Sequence, residues 1–120
     1  MKSYRELEIY QKAHKLAIEV HAVSLKLPKY ELYETGSQIR RASKSISHNI
    51  VEGYGRKKYK NDFIKFLVYA QSSCDEVNDQ IDFINEIHFI EKPLTDLKED
   101  YEVLGRQINK FIQYVEQNWK

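Results

Sequence analysis

Between positions 63 and 88, Phe63, Leu67, Ala70, Cys74, Val77, Ile81, Ile84 and His88 follow one another in alternating steps of four and three. That spacing keeps one side of an α-helix turned toward a partner helix over its whole length. A strand cannot produce it, because strand side chains change face at every residue. A helix this long needs other helices to cover its seam, so the rest of the chain must supply them. Phe66, Tyr69 and Ile87 are expected to widen the seam into a broad apolar face.

The remaining residues supply three such partners. After the break at Pro93, Leu94, Leu97, Tyr101, Leu104, Ile108, Phe111, Ile112, Val115 and Trp119 repeat in the same way. At the other end, a helix from about Tyr4 or Arg5 to Lys26 stops near Pro28. Its main apolar face is Ile9, Ala13, Leu16, Ala17, Val20, Val23 and Leu27. Leu7, His14, Ile18, His21 and Leu25 form a second stripe on roughly the opposite side. A helix apolar on two opposed sides has more to bury than one core can cover, which points to an oligomer.

The second helix puts Ile39, Ala42, Ser43, Ile46, Asn49, Ile50 and Gly53 on one side, several of them small enough for close helix approach. Arg40, Arg41, Lys44 and His48 point the other way. Thr35 with Gln38 reads as a capping box, and Tyr30 to Glu34 is readable either as loop or as earlier helix. The helix is expected to end near Glu52, with Gly53 as a left-handed cap, a turn over 53–60, and Asn61 or Asp62 capping the third helix. Four helices, short connections and no strand signal predict an all-α, antiparallel up-down-up-down four-helix bundle, one domain over residues 1–120.

Charge narrows the function classes. The total is only +1, which gives no global pull toward nucleic acid or membrane. Its distribution is uneven. Residues 40–60 hold seven Lys or Arg against Glu52, a net of +6, and residues 75–102 hold ten acids against Lys92 and Lys98, a net of −8. With the two junctions at opposite ends of a bundle, a basic end and an acidic end are expected. The first residues lack the apolar core of a signal peptide and no run reaches the length of a membrane span, so a cytoplasmic protein without membrane contact is expected. One cysteine, Cys74, excludes an intrachain disulfide and reads as a small core residue.

Within Gly53–Lys60, cations alternate with aromatics. Arg56, Lys57, Lys58 and Lys60, with Arg40, Arg41 and Lys44 upstream, are candidates to neutralise phosphates, and Tyr54 and Tyr59 to stack on unpaired bases. The competing reading is a solvated turn whose tyrosines pack on the bundle end. Arg41, Ser45, Asn49 and Glu52 lie along one flank of the second helix, as register-setting groups at a helix or subunit contact or as a polar ligand pocket. Leu7, Ile18, Leu25 and Trp119 join them as candidate interface residues. His14, His21 and His48 do not make a metal site, since no Glu-x-x-His occurs and the ligand count is too low. No nucleophile, base and acid grouping stands out, so no enzyme and no cofactor is expected.

The stretch QIRRASKSISHNIVEGYGR closely resembles the signature of the small bacterial four-helix proteins called 23S rRNA intervening-sequence proteins. Gln38, Arg40, Arg41, Ala42, Ser45, Ile46, Asn49, Ile50, Glu52, Gly53 and Arg56 carry the match. The resemblance extends upstream through Leu7, Gln11, Lys12 and Ala13, and downstream through Phe63, Phe66, Leu67, Ala70, Ser73 and Glu76. Tyr10, Thr35 and Ser72 depart from the usual Trp, Leu and Gly. The resemblance implies a closed ring, typically a pentamer. A related branch, the accessory proteins of diversity-generating retroelements, binds nucleic acid and a reverse transcriptase; it is markedly basic, whereas this chain is near neutral. Two functions follow: a non-enzymatic ring scaffold that binds RNA or single-stranded DNA through its basic turn, or a protein–protein adaptor with no nucleic-acid role.

Overall fold

The computed structural model describes residues 3–120. Four helices follow in order: α1 (Glu8–Ser24), α2 (Thr35–Gly55), α3 (Lys60–Ile87) and α4 (Thr95–Asn118). Single 3-10 turns at Tyr4–Glu6 and Lys29–Glu31 precede α1 and join it to α2, and the described residues contain no strand. Each helix packs on its neighbour in sequence and α1 returns to α4, which closes the antiparallel bundle that the apolar repeats predict. The molecule measures 48 × 22 × 20 Å. At 1.5 Å per residue, α3 alone spans about 42 Å of that length.

The core is the predicted seam. Phe63, Leu67, Ala70, Cys74, Val77, Ile81 and Ile84 of α3 are buried, as are Leu97, Tyr101, Leu104, Ile108, Ile112 and Val115 of α4. From α2, Ile39, Ala42, Ser43, Ile46, Ile50 and Gly53 face inward as expected. The Cys74 thiol donates to the Tyr101 carbonyl at 3.4 Å, and burial, reinforced by nearby Asp75, pushes its pKa up to about 12. Two members of the expected broader face do not belong to the core. Tyr69 and Ile87 are exposed, while Phe66 is half-buried. His88 ends the seam not as an apolar contact but in a hydrogen bond, its Nε2 lying 2.7 Å from Glu31 Oε2.

The helix ends differ from the sequence reading in one consistent way: backbone and packing replace side-chain caps. Helix α1 begins at Glu8, after a 3-10 turn in which Ser3 Oγ accepts from the Arg5 N–H, and ends at Ser24 rather than Lys26. Helix α2 begins at Thr35 itself, with Glu34 as an N-cap that makes no side-chain bond, so Thr35 and Gln38 form no capping box. Helix α2 continues past Glu52 to Gly55, and no glycine has positive φ. Gly53 is therefore no left-handed cap. It is a contact point: a Cβ there would lie 3.1 Å from Phe66 Cβ and 3.3 Å from the Phe63 carbonyl. Helix α3 starts at Lys60, before Asn61 and Asp62, and Tyr59 at its N-cap makes no side-chain bond.

Candidate nucleic-acid and assembly surfaces

Extending α2 to Gly55 divides the basic segment. Arg41 lies 15 residues before Arg56, about 22 Å away along the helix. The +6 segment is thus not one basic end. Arg40 is drawn further from the expected surface. Its Nη1 donates to Ser24 Oγ at 2.9 Å and its Nη2 to the Leu32 carbonyl at 2.8 Å, so it clamps the α1–α2 connection. Gly36 makes room for that clamp, since a Cβ there would meet Arg40 Nη1 and the Glu31 carbonyl at 3.0 Å each. Arg41 and Lys44 are exposed on the outer face of α2.

At the α2–α3 junction, most of the candidate residues serve the fold. Tyr54 is 9% exposed and lies edge-on to Phe63, with the Lys57 ammonium 3.9 Å from its ring centre. It offers no face for a base. Arg56 is held by Glu52 at 3.0 Å, lies 3.8 Å from Asp62 and sits over the Phe66 ring. Lys60 Nζ donates to the Glu116 carbonyl at 2.7 Å, near the C-terminal end of α4, where a helix carries partial negative charge. Trp119, expected at a subunit contact, folds back instead. Its Nε1–H donates to the Lys57 carbonyl at 2.8 Å and its ring meets Phe63 edge-on at 5.3 Å. Lys58 and Tyr59 remain exposed. A sequence cannot show which rings of such a run have a neighbour; here the C-terminal residues of α4 supply it.

The polar flank of α2 also finds its partners within the protomer. Ser45 Oγ and Ser73 Oγ are 2.9 Å apart across the α2–α3 seam, and Asn49 Nδ2 donates to the Ser45 carbonyl and hydroxyl at 2.9 and 3.0 Å. Glu52 pairs with Arg56, not Arg41. Ser45 and Asn49 thus bond within the protomer, Arg41 is exposed, and Glu52 borders a cavity of about 470 Å³ with Tyr10, His14 and His48. Among the described residues, no group of three or more His, Cys, Asp or Glu is placed to hold a metal.

The second stripe of α1 is the candidate surface that remains open. Ile18 and Leu25 are 61% and 58% exposed. With Ala17, Ala22 and Lys44 they line a groove of about 560 Å³ between α1 and α2. His14, His21 and His48 stand around the same groove. Leu7 does not share this exposure. At 3% it belongs to the core, because the 3-10 turn before α1 rolls it inward. Among the described residues no helix is long and apolar enough to cross a membrane.

The signature residues on α2 thus have structural partners: Arg40 in the clamp, Ser45 and Asn49 in the α2–α3 seam, Glu52 on Arg56, Gly53 against Phe63 and Phe66. No curated protein matches the chain. A family model for the 23S rRNA-intervening sequence protein matches residues 5–110, from the turn before α1 to the middle of α4, and the chain belongs to that family.

Proposed function

We propose that the protein is a non-enzymatic scaffold that assembles with copies of itself through the α1 stripe and the groove beside it. Ile18 and Leu25 carry this reading, two large apolar side chains seven residues apart on one exposed face of α1. Burying them and the groove would remove apolar surface that the protomer leaves in water. The family resemblance makes a closed ring, typically of five copies, the expected assembly. Light scattering at micromolar concentration tests it: a mass several times 14.3 kDa is expected, and a protomer mass refutes it. Ile18→Glu is expected to give protomers with helicity intact.

A second role, binding RNA or single-stranded DNA, draws on Arg41, Lys58 and Tyr59, which face solvent outside that groove. Repetition around a ring would turn three weak groups per copy into a multivalent surface. Binding would be insensitive to base sequence and would weaken steeply with salt as counterions are released. Anisotropy of a labelled oligonucleotide at low and physiological salt checks this, with Lys58→Glu and Arg41→Glu expected to weaken it. No binding at low salt leaves the adaptor role, with other proteins, a reverse transcriptase among them, as the class of partner.

A further inference from the structure

A second exposed apolar patch lies where α3 ends. Phe83 and Ile87 stand one turn apart on α3, each 58% exposed, and Ile90 follows just past the helix at 72%. Tyr30, also exposed, reaches the same end, its ring centre 6.1 Å from that of His88. The patch rests on a fixed base. Ile84 and Phe89 pack into the core beneath it, and the His88–Glu31 pair ties the α1–α2 connection to α3.

This patch lies on α3, whereas the second stripe lies on α1. The Ser45–Ser73 contact sets Lys44, in the groove beside Ile18, level with position 73 of α3. Phe83 is ten residues further on, about 15 Å along the axis.

Charge identifies the occupant. Asp79, Asp82 and Glu86 flank the patch on α3 and Glu91 follows Ile90, against exposed Lys92 and, beside Tyr30, Lys29. Only Asp82 is neutralised, by Lys98 at 3.0 Å; the other three make no ion pair among the described residues. Nucleic acid and anionic membranes are repelled by such a surface, and a neutral apolar ligand would leave the carboxylates unused. Side chains four apart form a ridge that fits between the ridges of a second helix. A helix with an apolar stripe bordered by Lys or Arg meets both the ridge and its rim.

We infer that this acidic, apolar end of the bundle docks a cationic amphipathic helix from another protein. The inference does not depend on self-assembly or on nucleic-acid binding. The test uses the full chain and a fluorescent synthetic 15-residue Leu/Lys peptide with one apolar face, against a scrambled peptide of the same composition without one. Anisotropy is expected to show saturable binding of the amphipathic peptide, weaker as salt rises. Phe83→Ser with Ile87→Ser is expected to weaken it at least tenfold. Asp79→Asn with Glu86→Gln is expected to weaken it and flatten its salt dependence, while Ile18→Glu leaves it unchanged. Equal binding of the scrambled peptide, or equal binding by the double serine variant, overturns the inference. So does a fall in particle mass in the serine variant, which would make the patch a contact between copies. A lowered melting temperature would show the patch packed within the protomer and overturn it as well.

Discussion

At the α2–α3 end of the bundle, Tyr54 and Phe63 are buried and Phe111 and Trp119 pack against the core beside them. The cations there are engaged too: Arg56 by Glu52, Lys57 by the Tyr54 ring, Lys60 by the Glu116 carbonyl. At the α3–α4 end the arrangement is reversed. Tyr30, Tyr33, Phe83, Ile87 and Ile90 stand in solvent beside carboxylates, most of which have no ion-pair partner among the described residues. The two ends have similar composition, with aromatics set among charged residues. What separates them is whether another element reaches over: the last residues of α4 cover the first end, and none of the described residues covers the second. Charge with aromatics is therefore no signature of a binding site until the neighbours are known.

The largest expected difference between the ends is in the energy of a single ring. Phe63→Ala removes a wholly buried side chain that Tyr54, Phe111 and Trp119 all touch, and is expected to cost about 3–5 kcal/mol. Phe83→Ala is expected to change stability by no more than about 0.5 kcal/mol. Urea unfolding of the two variants checks the pair. Equal losses would mean that Phe83 is packed and that the ends do not differ.

A smaller contrast lies within the covered end, between two glycines of α2. Gly53→Ala places a Cβ against Phe66 Cβ and the Phe63 backbone carbonyl, which can move only if α3 does, and is expected to cost about 1–3 kcal/mol. Gly55→Ala meets nothing within 4 Å and is expected to stabilise by about 0.4–1 kcal/mol through loss of unfolded-chain freedom. Opposite shifts in melting temperature are the observable.

These glycines also show where the sequence stopped being legible. The seam from Phe63 to Ile84 and the inward face from Ile39 to Ile50 could be read because helical periodicity is local: each residue's face follows from its position in the repeat. Gly53 looked like a cap because glycine near the end of a periodic segment usually is one; that it is a contact depends on α3 lying within reach. Leu7 lay on the exposed stripe of an ideal helix starting at Tyr4, and one 3-10 turn moved it into the core. Arg40 and Trp119 read as surface groups from sequence, but their partners are 8 to 62 residues away, while Tyr54 packs on the bundle end as the solvated-turn reading expects. Phe83 falls outside the seam of the same repeat, so its outward position is legible, but that no other element covers it becomes visible only once the helices are docked. Ile18 and Leu25 were legible because the second stripe is a property of α1 alone.

Trp119→Phe measures the cover more finely. The ring contact with Phe63 is largely kept, and the Nε1–H bond to the Lys57 carbonyl at 2.8 Å is lost. A loss of about 0.5–1.5 kcal/mol is expected. Lys58 and Tyr59 should become more mobile, with faster amide exchange from 57 to 60 than in the parent, because the carbonyl that anchors the junction is released. Unchanged exchange would show that the junction is held by Lys60 and Arg56 without the tryptophan.

The subtlest contrast is between the Glu52–Arg56 ion pair at one end and the Glu31–His88 hydrogen bond at the other. The Glu52 and Arg56 side chains are each about half exposed, and such a pair contributes roughly 0–1 kcal/mol, so Glu52→Gln is expected to leave the melting temperature almost unchanged. The Glu31 and His88 side chains are largely shielded from water. The His88 hydrogen bond, aided by one from Thr35, holds the Glu31 carboxyl below its ordinary value of 4.5, although desolvation acts the other way. A carboxyl with a folded pKa below its unfolded one binds more protons in the unfolded chain. Its contribution is complete above the unfolded value and disappears as pH falls through the folded one. Melting temperatures recorded from pH 7 to 3 should therefore fall below about pH 4.5 in the parent. In Glu31→Gln they should start lower and fall less steeply through the same window, because the group that titrates is gone. An identical acid limb in parent and variant would mean that the α1–α2 connection is held by the Arg40 clamp alone, and that the base under Phe83 and Ile87 does not depend on the Glu31–His88 pair.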